Sequence, residues 1–97
     1  MTQISQMRRH AALVDRMATT LGHDLDEAVM RGRLDPAEIP EMVLRCTGCA
    51  HPDRCESWLE RHAPATATAA AAKPDVRPAS PPYFCRNAGV FDDFDRP

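Results

Sequence analysis

The feature that most constrains this chain is the placement of its four cysteines. They fall as Cys46-x2-Cys49-x5-Cys55, and after a further 29 residues comes Cys85. A C-x2-C pair brings two thiolates to one centre from a single tight turn, and Gly48 is expected to supply the bend. Cys55 lies where Pro52-Asp53 opens the next helix. The free N–H groups and dipole at a helix N-terminus favour the thiolate that a metal needs. Cys85 stands beyond an Ala/Pro-rich stretch, as a fourth ligand folding back onto a set of three. Closing a loop of about 30 residues costs only a few kcal/mol and grows slowly with length. Metal binding at structural thiolate sites contributes roughly 10–16 kcal/mol, so ligation can drive that closure. Cys46, Cys49, Cys55 and Cys85 are therefore expected to bind one metal centre.

Structural zinc sites of four cysteines usually come as two C-x2-4-C knuckles. This chain has one knuckle and two solitary cysteines, a three-plus-one grouping that matches cluster ligation better. The spacing favours a [4Fe–4S] cluster; Zn2+ and a metal-free thiol role stay open as alternatives. His51 and His62 are the histidines able to replace a cysteine in a zinc site, though they read first as a turn residue and a helix end. Arg45, Arg54 and Arg86 each adjoin a cysteine, where a guanidinium would offset the negative charge of a four-thiolate cluster. Equally, eleven of the 97 residues are Arg, and three must fall somewhere.

Hydrophobic periodicity gives an all-α fold: a small bundle of four to five short helices held together by the four-cysteine metal centre. Met7, Ala11, Val14, Met17, Ala18 and Leu21 recur at helical spacing, so a helix is expected from about Ser5 to Leu21, with Gly22 as its stop. Asp24 and Glu27 resemble a capping box for a short second helix closed by Gly32. Asp35-Pro36-Ala37-Glu38 signals a third, with Pro40 disturbing its first turn, and this helix delivers Cys46. The fourth helix carries Cys55, Trp58, Leu59 and His62 on one face. Residues 1–62 thus form a helical region with three ligands. Residues 63–82 read as a flexible Ala/Pro-rich linker, and 83–97 as a segment with Cys85 and a short helix capped by Asn87. Together they make one domain, small enough to lean on a metal for stability.

All five aromatics lie in the cysteine-bearing half, at Trp58, Tyr83, Phe84, Phe91 and Phe94, and are expected to form its core and shield the centre. Met7, Met17, Met30 and Met42 sit at apolar helical positions and read as core. The net charge of −2 argues against a nucleic-acid partner, which needs a basic surface. No run reaches the roughly 18 apolar residues of a membrane span, and the first residues carry no secretory pattern. A cytoplasmic location follows, where reduced cysteines serve as ligands rather than structural disulfides. With no Gly-rich phosphate loop, no Ser/His/Asp arrangement and no HExxH, neither catalysis nor a small-molecule substrate is expected.

Two resemblances attach to these motifs. The segment Cys46-Thr-Gly-Cys49-Ala-His-Pro-Asp-Arg-Cys55-Glu-Ser-Trp58-Leu59 resembles the C-x2-C-x5-C core of the WhiB-like iron–sulfur regulators. That likeness implies a [4Fe–4S] cluster sensitive to oxygen and nitric oxide, held by Cys46, Cys49, Cys55 and Cys85. The distant cysteine of those regulators lies upstream, and their Gly/Trp turn and basic tail are missing here, so DNA binding is not implied. Over nearly its whole length the chain is also similar to a group of small four-cysteine alphaproteobacterial proteins of unknown function. The likeness runs through the segment before Cys46, the Cys46–Leu59 run and the late Phe84-Cys85-x-Asn87-x3-Phe91. The expected function is a non-enzymatic [4Fe–4S] protein that senses redox state or oxygen and signals through a protein partner. The alternatives are an electron carrier or accessory subunit of a redox enzyme, and a zinc-stabilised helical interaction module.

Overall fold

The first helix is the element on which the others assemble. The structure, a computed structural model, describes residues 2–64, 69–73 and 75–94. Among them there are five α-helices and no strand: α1 Thr2–Thr20, α2 Leu25–Met30, α3 Glu38–Thr47, α4 Pro52–His62 and α5 Ala88–Phe94, with a 3-10 turn at Ala69–Ala71 between α4 and α5. α1 packs against α3, α4 and the 3-10 turn.

Helices α1 and α2 end in the same way. Gly22 has φ 84° and Gly32 φ 73°, a region costly to any residue with a Cβ. In the first stop, His23 N donates to Ala18 O (2.8 Å) and Gly22 N to Thr19 O (3.0 Å); in the second, Arg33 N donates to Ala28 O (2.8 Å) and Gly32 N to Val29 O (3.1 Å). These are Schellman pairs, which satisfy the last helical carbonyls while turning the chain. Asp24 caps α2 as its sequence indicates, its carboxylate accepting from Glu27 N at 3.1 Å. Helix α3 starts later than its Asp35-Pro36 signal. Pro40 has no N–H to return to Pro36, so the first turn closes by shorter bonds, Glu38 N to Asp35 O (2.9 Å) and Ile39 N to Pro36 O (3.3 Å). Asp35 still takes Ala37 N on its carboxylate, at 2.9 Å.

The core joins Leu13, Val14, Met17 and Ala18 of α1, and Leu21 just beyond it, to Leu25, Leu34, Met42, Val43, Cys55, Leu59 and Phe91. Val14, Met17, Ala18 and Leu21 are buried as expected, but the N-terminal end of the stripe differs: Leu13 and His10 are inside, whereas Ala11 and Met7 are exposed. Of the four methionines expected in the core, Met17 and Met42 are buried, but Met30 is 86% exposed at the end of α2. That helix has only 6 residues, and its contribution to the core is Leu25 and Ala28.

In the stretch 63–82, residues 65–68 and 74 lie outside the described residues. The 3-10 turn Ala69–Ala71 packs on α1. Ala72 is buried, and Arg77 donates to Ala72 O at 3.3 Å while its guanidinium covers Gly22. Alanine has little side-chain entropy to lose, so such a run can lie flat on a helix at low cost. Pro81 and Pro82 are also buried, and they lead directly into Cys85.

Candidate metal centre

Each cysteine reaches the site by a different local device. Cys46 lies in the last turn of α3. The helix then tightens, Gly48 N donating to Arg45 O and Cys49 N to Cys46 O, both at 3.0 Å, which swings Cys49 round beside Cys46. Gly48 does not supply this bend through glycine's conformational freedom: its φ of −83° suits any residue. Its value is space, because a Cβ there would lie 3.3 Å from Arg45 O and 3.7 Å from the Arg86 side chain. Cys55 sits in the first turn of α4, its N–H bonded to His51 O at 3.0 Å. Cys85 follows a turn closed by its own N–H on Pro82 O, at 2.9 Å.

All four thiols are free and border one small cavity, together with His10, Leu13, Pro52, Phe84, Arg86 and Asn87. Every pair of the four is within electrostatic reach. Burial first, then Cys55, Cys49 and Cys85, push the Cys46 thiol up to about 12. Burial, then Cys85 and Cys49, push Cys55 up to about 11. Burial raises Cys85 too, with Cys49 adding to it and the Asn87 N–H opposing it. Burial thus favours the protonated form of Cys46, Cys55 and Cys85, and a positive centre would be needed to hold them as thiolates.

Backbone N–H groups nevertheless face two of the sulfurs, and a ring nitrogen lies beside a third. The amide of His51 donates to Cys49 Sγ at 3.4 Å, the amide of Asn87 bonds Cys85, and His10 Nδ1 lies 3.2 Å from Cys46 Sγ. Thiolate ligands in clusters are commonly held and tuned by such hydrogen bonds. Among the described residues, no three His, Cys, Asp or Glu side chains come together as a site for a single ion.

Asn87 anchors the Cys85 segment. Its side chain does not cap α5 as expected; Nδ2 instead donates to Met42 O at 2.8 Å, and Oδ1 accepts from Arg45 at 3.4 Å. Its carbonyl takes the first helical bond of α5, from Phe91 N at 3.0 Å. One buried side chain thus ties α5, with Phe91 in the core, to the helix that bears Cys46.

Of the three arginines next to cysteines, Arg86 lines the cavity. Arg45 turns to Asn87 and Glu41, and Arg54 lies over the Phe84 ring, 5.1 Å from its centroid. Charge reaches the site from an unexpected element: Arg16 of α1 lowers the cost of ionising Cys55. Among the aromatics, Phe84 borders the cavity and Phe91 is buried, but Tyr83 is exposed and Trp58 stacks on His62 at 4.4 Å. The Phe94 side chain lies outside the described residues. Neither histidine weighed as a zinc ligand points into the cavity. His62 bonds Trp58 O at 2.8 Å, and His51 meets Phe84 edge-on.

The histidine beside the cysteines is His10, which sequence reasoning passed over. Burial, then Arg9, lower its pKa, so the ring is held neutral. Its signal was present: His10, Leu13/Val14, Met17/Ala18 and Leu21 form the i, i+3/i+4 series of a core-facing stripe. Arg9 next to it bridges to Asp53 (2.9 Å) and Glu56 (2.8 Å) of α4 at the surface.

Fold and site together define a small all-helical protein whose four cysteines surround one cavity. The chain belongs to a family of unknown function, DUF6455, whose model matches residues 1–96. No curated protein and no solved structure matches the chain, so the likeness of its cysteine motif to WhiB-like regulators rests on the motif alone.

Proposed function

We propose that Cys46, Cys49, Cys55 and Cys85 hold one [4Fe–4S] cluster, and that the protein is a non-enzymatic module answering redox state or oxygen through a protein partner. The observation that carries this reading is that four free thiols line one cavity, with backbone N–H groups on two of the sulfurs and a ring nitrogen beside a third. A single zinc ion needs all four sulfurs about 2.3 Å from one point. A cluster distributes its thiolates over four irons, and four thiols lining one cavity support that larger group. The donor set is also chemically suited to iron–sulfur ligation, being all thiolate and grouped three-plus-one.

The sensing role is supported by where the fourth ligand sits. Cys85 belongs to the segment that brings Phe84 and Arg86 over the cavity and continues into α5. Loss of the centre would release one tether of that segment and alter the surface around Phe84. Net charge −2 gives no electrostatic basis for binding nucleic acid, and the cavity, lined by thiols, leaves no room assigned to a substrate. Among the described residues no helix is long and apolar enough to cross a membrane. A cytoplasmic location, where thiols stay reduced, fits this chemistry.

The test is anaerobic purification from cells supplied with iron, followed by an absorption spectrum and metal analysis. The expected protein is brown, with a broad band at about 400 nm and about four irons per chain. Stoichiometric zinc in a colourless protein would replace the cluster with a zinc-stabilised interaction module. Reversible cycling between two cluster states, without loss of iron in air, would make it an electron carrier.

A further inference from the structure

We propose that His10 is a positioning residue of the four-cysteine centre, donating its Nδ1–H to Cys46 Sγ and thereby fixing that ligand and raising the reduction potential of the cluster. This inference rests on the cluster reading above. Helix α1 carries no cysteine, yet it closes one wall of the cavity with His10 and Leu13. His10 is 7% exposed, and its Nδ1 lies 3.2 Å from the Cys46 sulfur. A buried imidazole needs a partner, and the geometry supplies this one.

The direction of the hydrogen bond follows from ligation. A metal-bound cysteine is a thiolate with no proton to give. The imidazole must therefore be the donor, with its proton on Nδ1. Cys49 and Cys85 receive theirs from backbone amides, of His51 and Asn87. Cys46 sits at the end of α3 and takes its N–H from a side chain of another helix instead. The Arg9 bridges to Asp53 and Glu56 hold α1 against α4 in the setting this requires. An N–H dipole aimed at a ligand sulfur stabilises the more negative, reduced cluster, so its removal lowers the potential. Partners of metal ligands typically contribute 10–100-fold to metal affinity.

The experiment compares the full chain with His10→Phe, which keeps a ring and loses the donor, and His10→Asn, whose amide N–H occupies the place of Nδ1. Each is purified anaerobically, assayed for iron and titrated with redox mediators. His10→Phe is expected to favour the oxidised cluster about tenfold more than wild type, a shift of about 59 mV to lower potential for a one-electron couple. His10→Asn is expected to recover at least half of that shift. An intact cluster in His10→Phe at the wild-type potential would overturn the proposal, as would His10→Asn behaving like His10→Phe. If His10→Phe does not fold, His10→Gln, whose amide lies one methylene too far, takes its place with the same expectations. Iron absent from the wild type would refute the cluster itself, and with it this role, before any variant is compared.

Discussion

Replacing Asn87 with Ala tests how the C-terminal segment is docked. The side chain is 2% exposed and makes one short buried hydrogen bond, Nδ2 to Met42 O at 2.8 Å, and one long contact, with Arg45 at 3.4 Å. Losing the short bond costs about 1–1.5 kcal/mol. The space left by the amide, in a site that cannot fully collapse, adds about 1 kcal/mol more. The long contact with a half-exposed guanidinium adds little. A total of about 2 kcal/mol corresponds to a fall in Tm of roughly 8–16 °C for a domain of this size. The assay is thermal unfolding of the protein as purified, followed by circular dichroism. Asn87→Asp is the sharper variant. It keeps the volume and the acceptor for Arg45 but sets a second carboxylate oxygen against Met42 O, so at neutral pH it should cost at least as much as Ala. If both variants melt within 2–3 °C of wild type, a shift that corresponds to less than about 1 kcal/mol, Asn87 does not hold the segment and the docking described above is wrong.

Three further outcomes are expected. Cys46→Ser, Cys49→Ser and Cys55→Ser should each abolish cluster binding, whereas Cys85→Ser should assemble anaerobically and lose its absorption band faster in air; equal iron content and equal decay for Cys85→Ser and wild type would remove Cys85 from the ligand set. The metal-free protein should lose stability as pH rises from 8 to 10, because Cys46 and Cys55 hold their protons to about 12 and 11 when folded but to about 9.0 in the unfolded chain. Above that unfolded value the unfolded state binds fewer protons, so the stability present at pH 8 falls by roughly 2 kcal/mol by pH 10, measurable by urea titration at each pH, and a flat profile would contradict the burial of these thiols. Gly22→Ala should destabilise by about 1–2 kcal/mol, since φ is 84°, a region costly to any residue with a Cβ; a Tm within 2 °C of wild type would contradict the left-handed turn that ends α1.

The sequence by itself determined the helices and the membership of the cysteine set. Periodicity, the Asp24 cap, the glycine stops and Pro52 are local signals, and each acts within a turn or two of chain. The spacing of Cys46, Cys49 and Cys55 is equally local, because a helix end, a tight turn and a helix start allow those sulfurs only a narrow range of separations. What lies around the sulfurs was decided by packing. Whether the buried stripe of α1 began at Met7 or at His10 could not be read from apolar residues alone, since Val14, Met17, Ala18 and Leu21 continue either series. The packing of Leu13 into the core and against the cavity wall selected His10. Asn87 carries a capping signal that any sequence reader would assign to α5, but the carbonyl of Met42, 45 residues away in sequence, took its donor. The amides facing Cys49 and Cys85 lie two residues along the chain, but the imidazole beside Cys46 comes from 36 residues away, and only the tertiary structure brings that pair together, because a hydrogen bond is decided by proximity and direction that no local pattern encodes.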